Sequence, residues 1–375
     1  MPLALRFRRL TLALSLLSGS LFAETTPPDF ISVVTEQFPQ WDTNHDGTLS
    51  AAEIDAAIIN STIQGRNAAA LAAIKRAERD PKLQLPPITL DYLKKTASAP
   101  AVTGQPNFPR MFKQGCDWLT ADTVRDLFVG TPKLETIRQG KMGNCFSLAA
   151  VAAVVHRNPE DVTAMFTPEK DGHYRVKFGN KTVLVNGPTD AEIVLGSFNN
   201  NAGLWVNLYE KALATAINDA KPTEKQASLP LDAIAKGGSA GTILGFITGH
   251  TVEKISFAYA KDKNVNEATR NQRTDELRQV LRAVVNDHRA MTCGTSTNSS
   301  TTPGITLNHA YTILNYDAKT DMVELWNPHG DNFIPKGEAG ATNGYPRKNG
   351  IFKMPVNDWI MQFSGMACEV AVKKS

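Results

Sequence analysis

The 375-residue chain is poor in cysteine, has no surplus of charge and lacks an apolar run of bilayer length. Each shortage removes a class of function. The four cysteines, Cys116, Cys145, Cys293 and Cys368, are too sparse for a disulfide scaffold, so the cores must be held by apolar packing. If Cys145 stays a thiol, the other three allow one bridge at most, and no pair is singled out. Formal charge is +3, but Arg6, Arg8 and Arg9 lie in a segment expected to be removed, leaving 40 − 3 = 37 basic against 37 acidic residues. A balanced chain is no polyanion binder, so neither nucleic acid nor an anionic membrane surface is an expected partner. Nothing in the sequence points to an oligomeric state. Composition is otherwise globular, with 42% hydrophobic and 21% charged residues, which excludes disorder, collagen and a membrane bundle.

The three arginines precede the apolar run Leu10 to Phe22 and then Ala23 and the polar Glu24-Thr25-Thr26-Pro27-Pro28. This is the layout of a secretory signal peptide, with cleavage expected after Ala23. The 13-residue run is short of the roughly 20 needed to span a bilayer, and no cysteine follows it to carry a lipid. A secreted or periplasmic protein without a stable membrane anchor is expected. The chain divides into a signal peptide at 1–23, a helical region at 24–97, a linker at 98–116, a helical lobe at 117–236 and a β-rich lobe at 237–375.

Residues 42–53 carry oxygen ligands at loop positions one, three and five (Asp42, Asn44, Asp46), Gly47 at six, Thr48 at seven, Ser50 at nine and Glu53 at twelve. That spacing is the EF-hand pattern for Ca²⁺. The ion takes about 6–8 oxygens, Gly47 permits the sharp turn, Thr48 offers its carbonyl and Glu53 can close the shell with both oxygens. The flanking helices are expected over Phe30 to Phe38 and Ala51 to Ile59. No second loop of this kind is found, so a lone site of modest affinity and structural role is expected. From Arg66 to Lys95, short alanine-rich helices broken at Pro81 and Pro86-Pro87 lead into the proline-containing linker.

The chemistry lies further on. Gln139-Gly140-Lys141-Met142-Gly143-Asn144-Cys145-Phe146 runs into Ser147 to Val155, apolar all round and so a core helix, with Cys145 at its N-terminus. A helix dipole and a nearby imidazolium lower a thiol pKa and make the thiolate available. A lone cysteine there is more often a small hydrophobe, so partners are needed. Asn308 to Leu314 alternates like a half-buried strand, and Met322 to Trp326 forms a second that ends at Asn327-Pro328-His329-Gly330. Such a pair of strands places His309 beside Asn327. The order Cys, His, Asn is that of a thiol peptidase, in which imidazole takes the thiol proton and the carboxamide fixes the ring tautomer. The interval of 164 residues from Cys145 to His309 exceeds the roughly 130–150 of the papain pattern, as an inserted subdomain allows.

These residues resemble the calpain-type cysteine proteases more closely than papain. The likeness runs in order through Gln139 to Ala149, Leu204-Trp205 to Glu210-Lys211, Gly237-Gly238-Ser239, Gly245-Phe246 to Gly249, Asn308-His309-Ala310-Tyr311, Asn327 to Gly330, Gly350 to Met354 and Asp358-Trp359. It implies an α+β, papain-like two-lobed core: a helical lobe with the nucleophile, a β-rich lobe with His and Asn, and the cleft between, the split falling near Gly237 to Gly241. It also implies Cys145 as nucleophile, His309 as base, Asn327 as orienter and Gln139 as side-chain donor of an oxyanion hole. Protein or peptide is the implied substrate. Three positions depart from the family: Asn144 stands for its usual Asp, Phe146 for Trp, and His329 for the Trp that shields the His–Asn pair. The family's acidic calcium cluster is not matched at Val185-Asn186-Gly187-Pro188. The polar stretch Gly294 to Gly304 reads as a mobile loop at the cleft rim.

A cysteine endopeptidase is thus expected. A transglutaminase-like acyl transferase is the alternative within the same chemistry, opposed by Asn327 where those enzymes commonly use Asp. An inactive calcium-dependent binding protein is the alternative from another class.

Overall fold

In the computed structural model, residues 29–297 and 302–371 are described. The expected signal peptide and the centre of the polar loop before His309 lie outside the described residues. Among the described residues, no helix is long and apolar enough to cross a membrane.

Four helices open the chain: α1 (Phe30–Trp41), α2 (Ala51–Ile58), α3 (Gly65–Arg79) and α4 (Leu90–Ser98). α1 outlasts its expected end at Phe38 because Trp41 continues its buried face. α2 and α4 start on matching caps, Ser50 and Thr89, whose side chains accept from Glu53 N–H and Tyr92 N–H. The loops before those caps are joined by Leu49 N–H donating to Ile88 C=O at 2.9 Å. The loop at 42–53 is therefore not alone. It is paired with a second helix–loop–helix, which carries Pro81, Leu83 and Leu85 where the first has Asp42, Asn44 and Asp46. With no oxygen ligand to spell it out, the pairing is invisible in sequence.

α5 (Phe108–Ala121) corrects the expected linker, which reaches no further than 107. Pro109 lies in its first turn, where a missing N–H costs nothing, and Asn107 Oδ1 caps it by accepting from Arg110 N–H at 3.0 Å. Phe108 stacks on Phe30 at 5.2 Å, so α5 packs on α1 and closes one apolar core with the rest of the helical half.

That half continues with α6 (Cys145–Arg157), α7 (Pro159–Thr163), a small antiparallel sheet of β1 (Phe166–Pro168), β2 (His173–Phe178) and β3 (Lys181–Asn186), then α8 (Asp190–Leu195), α9 (Trp205–Asp219) and α10 (Ala240–Thr248). The other half holds β4 (Val252–Ser256), α11 (Ala258–Lys261), α12 (Glu267–Asn286), β5 (Met291–Gly294), β6 (Ala310–Asp317), β7 (Met322–Trp326), β8 (Ile351–Pro355), α13 (Val356–Gln362) and β9 (Gly365–Glu369). Its six strands form an antiparallel sheet in the order β4-β9-β5-β6-β7-β8. The fold is α+β and two-lobed.

β6 is buried on both faces rather than half-buried. Ala310 and Leu314 join the core containing α6, while Tyr311 and Ile313 join a second core with Leu277, Leu281 and Trp359 of α12 and α13. The four cysteines are free thiols. Cys293 and Cys368 lie on neighbouring strands, but Cys293 pairs with Met366 and Cys368 with Met291, two residues out of register with each other.

Candidate active site

Cys145 is the first residue of α6, and His309 immediately precedes β6. Two bonds lay that helix along that strand: Thr312 Oγ1 donates to Ala149 C=O at 2.8 Å, and His156 Nε2 meets Leu314 C=O at 2.7 Å. Four residues separate Cys145 from Ala149 and three separate His309 from Thr312. Their starting ends are thereby brought together, and Cys145 and His309 line one cleft of about 360 Å³ with Gly237, Gly238 and Ala310. Its other wall includes Thr292 and Met366 of the sheet, so the cleft lies between the lobes.

Asn327 directly follows β7, the antiparallel neighbour of β6, and is fully buried. Its Oδ1 is 2.8 Å from His309 Nε2 and accepts the His329 backbone N–H at 3.0 Å. The backbone donor identifies that atom as the oxygen, so His309 Nε2 carries the hydrogen and Nδ1 offers its lone pair. Asn327 Nδ2 in turn donates to Asp331 Oδ1 at 3.4 Å, and Asn327 N–H donates to Gly350 C=O at 2.9 Å. A protonated Nε2 held on a carboxamide with Nδ1 free is the state in which an imidazole can remove a proton from a thiol.

The electrostatics correct one expectation. Burial pushes the Cys145 thiol up, opposed by the N–H groups of Ala310, Phe146 and Cys145 itself. Burial, then the adjacent His329, holds His309 down to about 4. The helix end is therefore not enough to keep a standing thiolate. Each group is held toward its neutral form, so attack by the sulfur requires transfer of its proton to the ring.

Asn144 gives α6 no side-chain cap, which leaves the first amides of the helix facing the cleft. Instead its Nδ2 and Ser197 Oγ donate to Glu210 Oε1 of α9, and Ser197 N–H donates to Oε2 at 3.0 Å. Glu210 is entirely buried, which pushes its carboxyl up to about 7. The sequence alone gives Glu210 no part. Its one visible mark is an acid in the largely apolar first turns of α9, which argues for a buried partner.

Gln139 is anchored to the other lobe. Its N–H donates to Pro328 C=O at 2.8 Å, one residue past Asn327, and its side-chain Nε2 donates to Met142 C=O at 2.8 Å. One Nε2 hydrogen remains uncommitted. Phe146 lies against Gly238, where an added Cβ would come within 2.5 Å of its ring, so only glycine lets that cleft wall approach the helix. His329 stacks on His309 with ring centroids 4.5 Å apart.

The expected calcium ligands of residues 42–53 stand elsewhere. Asp42 Oδ2 accepts from Gly47 N–H at 2.9 Å, Asn44 Oδ1 from Asp46 N–H at 3.0 Å and Asp46 Oδ1 from Thr48 N–H at 2.8 Å, folding the loop on itself. Glu53 is turned to its own helix cap: Oε2 accepts from Ser50 N–H and Oγ, and Oε1 from Thr43 N–H at 2.8 Å. Among the described residues, no three His, Cys, Asp or Glu side chains are gathered closely enough to hold a metal.

No curated protein matches the sequence. The family model for calpain family cysteine proteases matches residues 109–368, which takes in the cysteine, histidine and asparagine of the cleft and more than two-thirds of the chain. This chain therefore belongs to the calpain family of cysteine proteases, and it is a cysteine-type peptidase.

Proposed function

We propose that the protein is an exported endopeptidase that cleaves internal peptide bonds through a thioester on Cys145. The observation that carries this reading is the 2.8 Å pairing of His309 Nε2 with Asn327 Oδ1, which leaves Nδ1 open at a cleft shared with Cys145. His309 Nδ1 takes the thiol proton as Cys145 Sγ attacks the scissile carbonyl carbon. Oxygen charge in the tetrahedral adduct is met by the Cys145 backbone N–H and the spare Nε2 hydrogen of Gln139. The C–N bond breaks with the His309 proton passing to the leaving amine, and water, deprotonated by the same ring, then releases the acid and restores the thiol. Cys145→Ala should abolish hydrolysis of a denatured protein and remove one iodoacetamide-reactive thiol. Undiminished turnover by the variant would refute the assignment.

Export rests on the arginines and apolar run before Ala23. A mature chain beginning at Glu24 is expected by mass spectrometry of the exported protein, and an intact Met1 excludes it.

Ca²⁺ is proposed at the loop, held by Asp42, Asn44, Asp46, the Thr48 carbonyl and Glu53. The donor set, all oxygen and rich in carboxylate, fits a hard cation, and the ion would supply charge neutralisation that fixes the loop. Glu53 has to leave its cap bonds with Ser50 to join, so affinity is expected to be weak, with Kd on the order of 10⁻⁴–10⁻³ M. Calorimetry on the full chain should show heat of binding that is lost in Asp46→Ala; no heat from the wild type would rule the site out.

A further inference from the structure

The cleft that holds Cys145 also has a charged wall that the hydrolytic chemistry does not use. Lys254 of β4 lines it together with Gly241, Met366 and Ala367. Lys254 faces Ala367 across the β4–β9 pair, and a Cβ placed on Gly241 would meet Ala367 Cβ at 2.5 Å and Lys254 Cε at 3.6 Å. These four residues thus form one small pocket floor, open because Gly241 has no side chain. Among the described residues, Lys254 Nζ donates to a neutral hydroxyl, Thr242 Oγ1 at 3.0 Å. Among the described residues, no Asp or Glu lines this cleft and Lys254 makes no ion pair. His309, the other ionisable nitrogen there, is held neutral by burial. An ammonium without a counter-charge thus stands in a substrate cleft, and Met366 and Ala367 beside it offer apolar contact to a short methylene stem.

We infer that Lys254 selects substrates carrying a glutamate side chain in the subsite formed by Gly241, Lys254, Met366 and Ala367. The carboxylate supplies the charge Lys254 lacks, and the two methylenes of glutamate lie on Met366 and Ala367. A lysine or arginine at the same substrate position meets like charge and is rejected. The inference rests on the reading of this cleft as a peptide-hydrolysing site and names its substrate class.

The test is a set of otherwise identical peptides in which Glu, Gln or Lys is walked through the positions flanking a cleaved bond, assayed with the full chain. The readout is the ratio of kcat/KM between matched peptides, which is internal to each protein and cancels its active fraction. At one position the wild type should favour Glu over Gln by roughly 3- to 10-fold at low ionic strength, a preference that shrinks as salt is added. Lys254→Gln should bring that ratio close to one, and Lys254→Glu should invert it towards Lys. A wild-type ratio near one at every position overturns the inference, as does a preference that both variants retain. Failure of the wild type to cleave any peptide overturns the peptidase reading and this inference with it, so the two failures are distinguishable.

Discussion

The imidazoles of His309 and His329 lie 4.5 Å apart and 11° from parallel, so charge on one ring is felt directly by the other. His329 is itself held below its ordinary value, first by burial and then by Arg347, with Asp331 opposing. As pH falls, protonation of His329 places a cation against the ring that must become imidazolium when Cys145 ionises. His329→Phe keeps an aromatic face on His309 and removes the competing charge. Because His329 is one of the groups that hold His309 down, the acid limb of kcat/KM should move to higher pH in the variant, with activity at pH 5 lowered relative to pH 7. Stability reports the same coupling: a histidine held near 4 when folded stabilises the fold above pH 6.5, and that contribution is lost as pH falls through 4. An unchanged pH profile would show that the stacked ring is only a cover.

Gln139 links the lobes as well as facing the cysteine loop. Its backbone grips Pro328 and its side chain grips Met142, so Asn327 and Cys145 are both within a few residues of its bonds. Losing one oxyanion donor typically costs about 10²–10³ in kcat. Gln139→Ala is expected to fall in that range with little change in KM, because the backbone bond to Pro328 survives. Equal loss in KM and kcat would instead mark a collapsed cleft. Steady-state kinetics on one good peptide separates the two outcomes.

What could be seen in advance follows a physical line. The helix at Cys145 and the adjacency of His309 and Asn327 are local features, the first an apolar run and the second the two ends of a hairpin, and both are legible in sequence. α5 is missed because Pro109 reads as a breaker unless Asn107 is recognised as its cap. The Leu49–Ile88 pairing is missed because the partner loop carries Pro81, Leu83 and Leu85 at the positions of Asp42, Asn44 and Asp46. Double burial of β6 depends on α12 and α13, whose packing no strand periodicity reports. Glu210 and Lys254 acquire meaning from what surrounds them, Asn144 and Ser197 in one case and an acid-free cleft in the other, and such surroundings exist only after folding.

Glu210 gives a test of that buried cluster. Among the described residues no cation touches it, so burial raises its carboxyl to about 7 against 4.5 for the free side chain. A group with a raised folded pKa favours the fold fully below the unfolded value, and its contribution is lost as pH rises through 7. Glu210→Gln mimics the protonated acid. The variant no longer titrates and should show a flatter stability profile between pH 5 and 8 in urea unfolding. Glu210→Ala leaves Asn144 and Ser197 without an acceptor and should be destabilised at every pH. A Gln variant with the wild-type slope would place the titration elsewhere.

Lys75 of α3 ties the N-terminal helices to the cleft. Its ammonium is almost wholly buried and contacts Asp55 of α2 at 2.5 Å, Glu78 at 2.8 Å and Asp232 at 3.1 Å, while Arg79 holds the same Asp232 at 2.5 Å. Asp232 lies three residues before Ala235, whose carbonyl receives Gly143 N–H at 3.0 Å, and Gly237 N–H returns to Gly143 C=O at 2.9 Å. The chain from α2 to the loop carrying Cys145 is thus continuous. Removing the cation leaves the buried Asp55 unpaired beside the half-buried Glu78 and Asp232, and breaking a buried pair in this way costs about 3–5 kcal/mol. Lys75→Ala should lose that much in denaturant unfolding. It should also raise KM, because the Ala235–Gly143 contact is released from its anchor. The double variant Lys75→Met with Asp55→Leu, which replaces charge by apolar contact, should recover most of the stability. If the single variant unfolds like the wild type, the cluster is peripheral and the N-terminal helices are held by apolar packing alone.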